Sequence, residues 1–376
     1  MRVLVVNAGS SSLKLALLDG DDATLREREL DAPRARVDQQ QLREALDEGL
    51  GEADAVGHRI VHGGERLREA VRIDAGIEQQ LRGLVDLAPL HQPKSLAALD
   101  AVTRALPQTP AVACFDTAFH ATLPAPAYTY ALPAQWRERW KLRRYGFHGL
   151  SHAWVAQRTP EMLERPLEGL RVVSCHLGAG ASLCAIRDGA SLDTTMGFTP
   201  LEGLVMATRC GSVDPGMLLW LMEHAALSAQ ELADALEHRS GLLALAGSAD
   251  MREILASAAA PDGSVGDNPV EIGQRARLAL DTYIHRLRAG IAAMAAALGG
   301  LDALVFTGGV GERSAQVRAR ATAGLGFLGV ALDDARNSSA HGDREIGADA
   351  APVRTLVLRA REDIEIARQV RTLLSG

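Results

Sequence analysis

Residues 3–20 read VLVVNAGSSSLKLALLDG, and residues 172–189 return the same pattern without a gap as VVSCHLGAGASLCAIRDG. In each copy a β-branched apolar run meets a small turn rich in Gly and Ser, and alternating apolar residues then lead to Asp-Gly. That pattern predicts strand, tight turn, strand. Glycine lets backbone N–H groups approach an anion closely, and serine adds donors, so each turn suits phosphate oxygens. An ordinary hairpin would need the same glycines for backbone reasons, but two matching copies point to one duplicated nucleotide-type unit. Lys14 stands just past the first turn and is one of three lysines, with Lys94 and Lys141, among 40 Lys plus Arg. A compact ammonium at that place suits a phosphate contact. Walker A and protein-kinase signatures are absent from the sequence, so nucleotide chemistry here needs another architecture.

Working outward, helical patterns are expected at 38–49 and, interrupted between Pro89 and Pro93, through 77–106. Strands are expected at 54–62 and at 111–115, the second running into Asp116 before an irregular stretch to about residue 134. The second half repeats the scheme: strands across 171–195, helices at 214–224, 228–239 and 268–298, and a strand at 302–306 ending in TGGVGE. A strand at 353–358 and a helix at 362–374 close the chain, and the segment near 256–269 reads as a surface loop. Strand-rich starts followed by alternating helices and strands, twice over, predict two α/β domains of similar topology facing a cleft, with a boundary near 147–153.

Composition sets limits. A chain of 376 residues with 47% hydrophobic and 23% charged residues buries a substantial core as a globular protein. A formal net charge of −7 argues against nonspecific nucleic-acid binding, so an anionic substrate needs a local cluster of arginines. The N-terminus shows no export signal, and the Ala/Gly-rich stretch at 289–306 carries Asp302 and the Gly299-Gly300 break, a poor membrane span. The expectation is an intracellular protein without membrane or nucleic-acid partners. Cys114, Cys175, Cys184 and Cys210 lack CxxC spacing and read as free, buried thiols.

Seven of the eleven histidines, His58, His62, His91, His120, His148, His152 and His176, crowd the stretch from 58 to 176. The pairs His58/His62 and His148/His152 have the spacing of a helical zinc site, but the first lies in a β-type run and neither encloses a Glu to act as base. Structural or anion-binding histidines fit better. Arg59 in GHRIVHGG and Arg209 in ATRCGSVDPG lie in Gly-flanked segments of low charge, where a guanidinium can hold a carboxylate or a phosphoryl group in paired fashion. Asp116 ends an apolar strand and reads equally as a magnesium-orienting carboxylate or an N-cap. Glu362 reads as a first-turn helix glutamate, or else as a magnesium ligand. The turn GGVGE at 308–312, between a buried strand and a helix, can form a phosphate or nucleobase shelf.

Together NAGSSSLK, GHRIVHGG, LAPLHQPKS, FDTAFH, RYGFHGLSH, HLGAGAS, MGFTPLEGLVMATRCGSVDPG, GSADMRE and TGGVGER closely resemble the acetate kinases, in the same order from residue 3 to about 370. The resemblance implies an α/β, duplicated ribonuclease-H-like (actin-like ATPase) fold with two domains around a nucleotide cleft. It implies an N-terminal domain of residues 1–149 joined by the C-terminal helix 361–376, and a nucleotide-binding domain of 150–360. The implied reaction is reversible, Mg²⁺-dependent transfer of the ATP γ-phosphoryl group to acetate, giving acetyl phosphate and ADP, with Mn²⁺ as a substitute metal. A cytoplasmic homodimer serving acetyl-CoA biosynthesis is implied as well.

By the same resemblance, Asn7 and Glu362 match magnesium positions and Lys14 a nucleotide-phosphate contact. Arg59 matches the arginine that holds the carboxylate, Asp116 the catalytic aspartate, and His91, His148 and Arg209 further catalytic positions. Val61, Leu90, Phe147 and Pro200 match the pocket for the substrate methyl group. His176, Leu177, Gly178, Ala179 and Gly180 match the phosphate turn, while Asp250, Met251 and Arg252, with Gly309, Val310, Gly311, Glu312 and Arg313, match the nucleoside pocket. Three positions depart from the family pattern: Ala179 replaces the Asn of HLGNG, Arg313 replaces the Asn of GIGEN, and Ala360-Arg361-Glu362-Asp363 replaces Thr-Asn-Glu-Glu. Propionate or another short acid is the alternative substrate, and a catalytically weak nucleotide-binding regulator the alternative role.

Overall fold

The computed structural model describes residues 1–9, 12–32, 37–89, 91–260 and 269–375. Ser10 and Ser11 of the first turn, Leu90, and the stretch 261–268 of the expected surface loop lie outside these residues. The chain divides into two compact units, the first Met1–Thr122, Phe147–Trp154 and Arg361–Gly376, the second Leu123–Gly146 and Val155–Ala360.

The first unit opens with β1 (Val3–Ala8), β2 (Ser12–Leu18) and β3 (Thr24–Asp31), then α1 (Gln39–Ala45), β4 (Ala55–Ile60), β5 (Val71–Arg72), α2 (Ala75–Arg82), α3 (Gln92–Ala105) and β6 (Ala111–Phe115). Short helices α4 (Ala125–Tyr128) and α5 (Ala134–Trp140), which belong to the second unit, interrupt the stretch expected to be irregular, and α6 (Gly149–Leu163) follows, starting in the first unit and ending in the second. The second unit has β7 (Arg171–Leu177), β8 (Ala181–Arg187) and β9 (Ala190–Thr194), helices α7 (Pro215–His224), α8 (Ala229–His238), α9 (Gly241–Ala246) and α10 (Met251–Ala259), and the long α11 (Pro269–Leu298). Then come β10 (Ala303–Thr307), α12 (Gly308–Arg313), α13 (Ala315–Thr322), α14 (Asp334–Ser338), β11 (Arg344–Glu345) and β12 (Arg354–Val357), and the chain ends with α15 (Glu362–Ser375) in the first unit.

The two six-stranded sheets have the orders β3-β2-β1-β4-β6-β5 and β11-β12-β10-β7-β8-β9. They match strand for strand. In the first, β1 is antiparallel to β2 and parallel to β4, β4 is parallel to β6, and β5 is antiparallel to β6. In the second, β7, β8, β10, β12 and β11 repeat those pairings in turn. The duplication that the internal echo predicts is present, and the topology is the actin-like ATPase one that the family resemblance implies.

Strand alternation decides which side chains reach the site. Val3 and Val5 of β1 and Val112 and Cys114 of β6 pack with Ile364, Ile366, Ala367 and Val370 of α15. Residues of opposite parity, Leu4, Val6 and Val56, pack with Ala98, Ala101 and Val102 of α3 and Leu42 of α1. Each fully buried Val, Leu or Ile side chain stabilises this two-sided core by about 1.5–3 kcal/mol. Gly57 lets α15 close on β4, because a Cβ there would stand 2.5 Å from Ile366 and 2.8 Å from Val370. Any larger residue at 57 would wedge the helix off the sheet.

The helix expected over 38–49 ends early. Asp38 caps it by accepting from the Gln40 and Gln41 N–H groups, but at Leu46–Leu50 the chain widens into a π-type turn around Gly49, at φ +109°. The α-helical path ends there because a left-handed residue cannot continue it.

Candidate functional site

In the first unit, the period-two alternation that gives Val5, Gly57 and Cys114 to α15 places Asn7, Arg59 and Asp116 one step further along the same face. All three stand at or just past the carboxyl ends of parallel strands, where α/β sheets hold ligands. The first turn of α15 brings Glu362 to the same spot. Arg59 donates from Nε to Asp116 Oδ1 at 3.0 Å and from Nη2 to Oδ2 at 2.8 Å, a paired geometry. Its Nη1 lies 3.1 Å from Glu362 Oε2 and 3.2 Å from Asn7 Oδ1, and Asn7 Nδ2 donates to Glu362 Oε2 at 3.4 Å. Asp116 is 2% exposed at its side chain, Glu362 14% and Arg59 18%, so the cluster is only thinly screened by water. Burial by itself would lower the Arg59 pKa, yet the carboxylates of Asp116 and Glu362 outweigh it and hold the guanidinium above its ordinary value.

Both carboxylates that the sequence singled out meet the same arginine. The Asp116 carboxylate is engaged by Arg59, and Glu362 is both a first-turn helix residue and an ion-pair partner of the same arginine.

Around this cluster, the backbone of the His148 turn is fixed by Asp116. Gly149 N–H donates to the Asp116 carbonyl at 2.8 Å, a contact that a Cβ at 149, only 2.1 Å from that oxygen, would forbid. His148 itself has φ +55°, a strained conformation for a residue other than Gly that concentrates at functional sites. It stands before α6, so His148 and His152 do not form the helical pair that their spacing suggests. Phe147 is buried, its carbonyl meets His120 Nε2 at 3.0 Å, and its ring stands edge-on to His62 at 5.5 Å. Burial pushes the pKa of His58 down to about 3 and that of His62 to about 4. His62 Nδ1 accepts from Gly64 N–H at 2.8 Å, which assigns the ring proton to Nε2. Among the described residues, no group of three or more His, Cys, Asp or Glu is arranged to hold a metal ion.

His91 sits at the N-cap of α3 and Val61 is buried at the end of β4. Between them acts a residue that the sequence reading passed over. Gln92, fully buried, accepts from His62 N–H and donates to His62 C=O, both at 3.2 Å, and so fastens the start of α3 to the chain just past Val61. Its only sequence signal was an amide beside Pro93 in an apolar run. Lys14 lies opposite Asn7 in the β1/β2 register, exposed and 4.0 Å from Glu29.

In the second unit, the turn after β7 is closed by Gly178 N–H donating to Gly180 C=O at 2.9 Å, and the Ala179 carbonyl accepts from Ala207 at 3.1 Å. His176 stands opposite Thr307 at the end of β10. The glycines at 308–312 were expected to precede a helix; they are the helix, α12. Gly308 makes the entry, at φ +76° with its absent Cβ 2.8 Å from the Leu177 carbonyl, so the backbone turns sharply against the phosphate-type turn. Arg318, the largest fully buried side chain, donates to the carbonyls of Gly311 and Glu312 at 2.9 and 2.8 Å and fixes the C-terminal end of α12. Met251 is buried, and Asp250 caps α10 while pairing with Arg252; hydrogen bonds from Arg252 hold the Asp250 carboxyl down at about 2. Ala179, Gly309 and Arg313 are exposed.

Arg209 is held differently from Arg59. Its Nε faces Glu237 at 3.3 Å and its Nη1 donates to the Pro200 carbonyl at 3.0 Å. Burial pulls its pKa down, and Glu237 offsets only part of that. Cys114, Cys175 and Cys184 are buried free thiols and Cys210 is half-buried, each raised in pKa by burial.

The chain has clear relatives. The acetokinase family profile matches residues 34–368. The acetate kinase of Gloeobacter violaceus is 45% identical over 98% of each chain. Among solved structures, the acetate kinase of Porphyromonas gingivalis superposes with a TM-score of 0.88 at 34% identity over 99% of each chain. A propionate kinase from Francisella tularensis superposes with a TM-score of 0.88 at 32% identity over 98% of each. The chain therefore belongs to the acetokinase family, phosphotransferases that use a carboxyl group as acceptor.

Proposed function

We propose that this chain transfers the ATP γ-phosphoryl group reversibly to acetate, giving acetyl phosphate and ADP. The observation that carries this reading is the Asn7–Arg59–Asp116–Glu362 cluster at the strand ends of the first unit. A carboxylate oxygen of acetate attacks the γ-phosphorus, the bond to the bridging oxygen breaks, and the electron pair leaves on ADP. No proton moves, because acetate is already ionised at neutral pH, so the site needs no general base. What it must do is bring two anions together and hold the charge that spreads over the equatorial oxygens.

Arg59 receives the acetate carboxylate, Val61 and Phe147 lie against its methyl group, and His91 and His148 donate toward the acid and the transferring group. In the second unit, residues 176–180 and Arg209 hold phosphate oxygens, while residues 250–252 and 309–313 receive the nucleoside. Lys14 adds a phosphate contact. The oxygens of Asn7 and Glu362, with Asp116 beside them, suit Mg²⁺ or Mn²⁺: two carboxylates and one guanidinium leave a formal charge of −1 and a hard donor set. When bound, the metal would neutralise charge on the phosphates; Asp116 orients it or its waters.

A homodimer fits α7, whose Met217, Leu219, Trp220 and Met222 are exposed. No described helix is long and apolar enough to cross a membrane, in keeping with a cytoplasmic enzyme whose acyl phosphate can pass its acyl group to the thiol of coenzyme A. Propionate is the second reading, favoured by the propionate kinase among the solved relatives.

Hydroxylamine trapping of acyl phosphate, with ATP, Mg²⁺ and acetate, propionate, butyrate or glycerol, tests the proposal. Acetyl hydroxamate is expected, and no hydroxamate from glycerol. Absence of product with every acid would reject the reading, and a propionate preference would select the second.

A further inference from the structure

We propose that Glu237 is a positioning residue for phosphoryl transfer, fixing which edge of the Arg209 guanidinium is presented to the phosphate. This rests on reading Arg209 as a donor to the transferring group. Arg209 lies in the loop 206–210, which carries no regular structure of its own, so its rigidity must come from elsewhere. It comes from the corner between α8 and α9. Cys210 N–H donates to Leu236 C=O at 3.1 Å, Ser240 N–H to Thr208 C=O at 2.9 Å, and Leu242 N–H to Met206 C=O at 2.9 Å. Thr208 Oγ1 donates to the Glu237 carbonyl at 2.8 Å. Gly241 permits the approach: at φ +64°, a Cβ there would stand 2.3 Å from the Met206 carbonyl and 2.6 Å from that of Arg209.

On this stitched backbone the Glu237 carboxylate, 15% exposed, takes Nε of Arg209 at 3.3 Å while Pro200 C=O takes Nη1 at 3.0 Å. Nε and Nη1, which lie on opposite sides of the guanidinium, are thus both engaged, which sets its plane and leaves Nη2 for an incoming anion. Glu237 also supplies the only carboxylate paired with Arg209 among the described ion pairs. Its charge helps keep a buried guanidinium protonated and preorganised, which matters most when charge builds up in the transition state. A single carboxylate oxygen on Nε leaves Nη2 uncommitted, unlike the fork that Asp116 makes with Nε and Nη2 of Arg59.

Glu237→Gln keeps the shape and removes the charge. Expected is a fall in kcat on the order of tenfold with both KM values within about twofold, since the lost interaction is one made mainly in the transition state. Affinity for MgADP with aluminium fluoride and acetate, a mimic of the transferring group, should drop by a similar factor while affinity for MgADP alone holds. Glu237→Asp should recover part of the loss. A merely structural role would lower the melting temperature and leave the two affinities in their wild-type ratio, which would overturn the proposal. Arg209→Lys separates the premises: if it is inactive while Glu237→Gln keeps full kcat, positioning fails; if Arg209→Lys is fully active, the role of Arg209 fails instead. Slow solvent exchange of the Arg209 Nε–H by NMR in the unsubstituted chain is expected independently of any variant, and fast exchange would count against the ion pair.

Discussion

The two units share one sheet topology and differ in what stands at its strand ends. Following the paired registers, Asn7, Arg59 and Asp116 of the first unit correspond to His176, Thr307 and Ala360 of the second. One set is ionic and mutually bonded; the other holds an imidazole, a hydroxyl and a methyl group. A duplicated scaffold has therefore been given two chemistries by changing the polarity of three equivalent positions. The charged end can hold a cation and a carboxylate through side chains. At the uncharged end none of the three equivalent positions sets a carboxylate beside the glycine turn, the arrangement expected of the polyphosphate contact proposed there. The arginines repeat the contrast, since Arg59 has every nitrogen engaged whereas Arg209 is held through Nε and Nη1 alone.

The strongest way to break this comparison is Arg59→Met. Removing the guanidinium takes the cationic partner from the buried Asp116 and the half-buried Glu362, and loss of one partner from a buried ion pair costs about 3–5 kcal/mol. Chemical denaturation should register that loss and the hydroxamate assay should read near background. A fully stable variant would show that the ionic set does not organise the first unit.

Acid should separate the units next. His58 and His62 are depressed to about 3 and about 4 by burial in the folded chain, whereas an unfolded histidine titrates near 6.5. The unfolded state therefore binds more protons between these values, so stability is fully present above about pH 6.5 and falls as pH drops toward the folded pKa values. The slope is about 1.4 kcal/mol per pH unit for each histidine. Every described histidine of the second unit is at least partly exposed. Hydrogen exchange at pH 5 should thus rise in β4 and β6 before β7 and β10, and His58→Leu should flatten part of the slope; uniform exchange would erase the distinction.

The smallest expected effect lies in the phosphate turn. Ala179→Asn restores an amide that can donate to a phosphate, a charge-assisted bond of about 1.5–3 kcal/mol. The Michaelis constant for ATP should fall while that for acetate stays nearly fixed. Equal shifts in both would remove Ala179 as the reason for any weakness toward nucleotide.

The repeated hairpin and the order of strands and helices were legible in the sequence because β-branched runs, glycine turns and helical periodicity are local signals. The glycines of α12 misled, since their spacing resembles a loop, whereas packing against Leu177 and the buried Arg318 winds them into helix. Gln92 and Glu237 were silent because an amide or a carboxylate in a helix acquires meaning only from what the fold sets beside it. The family pattern named Arg59, Asp116 and Glu362 but could not say that they bond to one another.

By itself, then, the sequence determined that the chain is a duplicated α/β protein, through the echo of residues 3–20 in 172–189. Its motifs also named the side chains able to meet a carboxylate, a metal ion and phosphates. Only the tertiary structure decided that residues 7, 59, 116 and 362 form one bonded cluster and that Glu237 pairs with Arg209. Such contacts join residues far apart in the chain, and their geometry is set by parallel strand register and helix docking, which no local pattern of residues encodes.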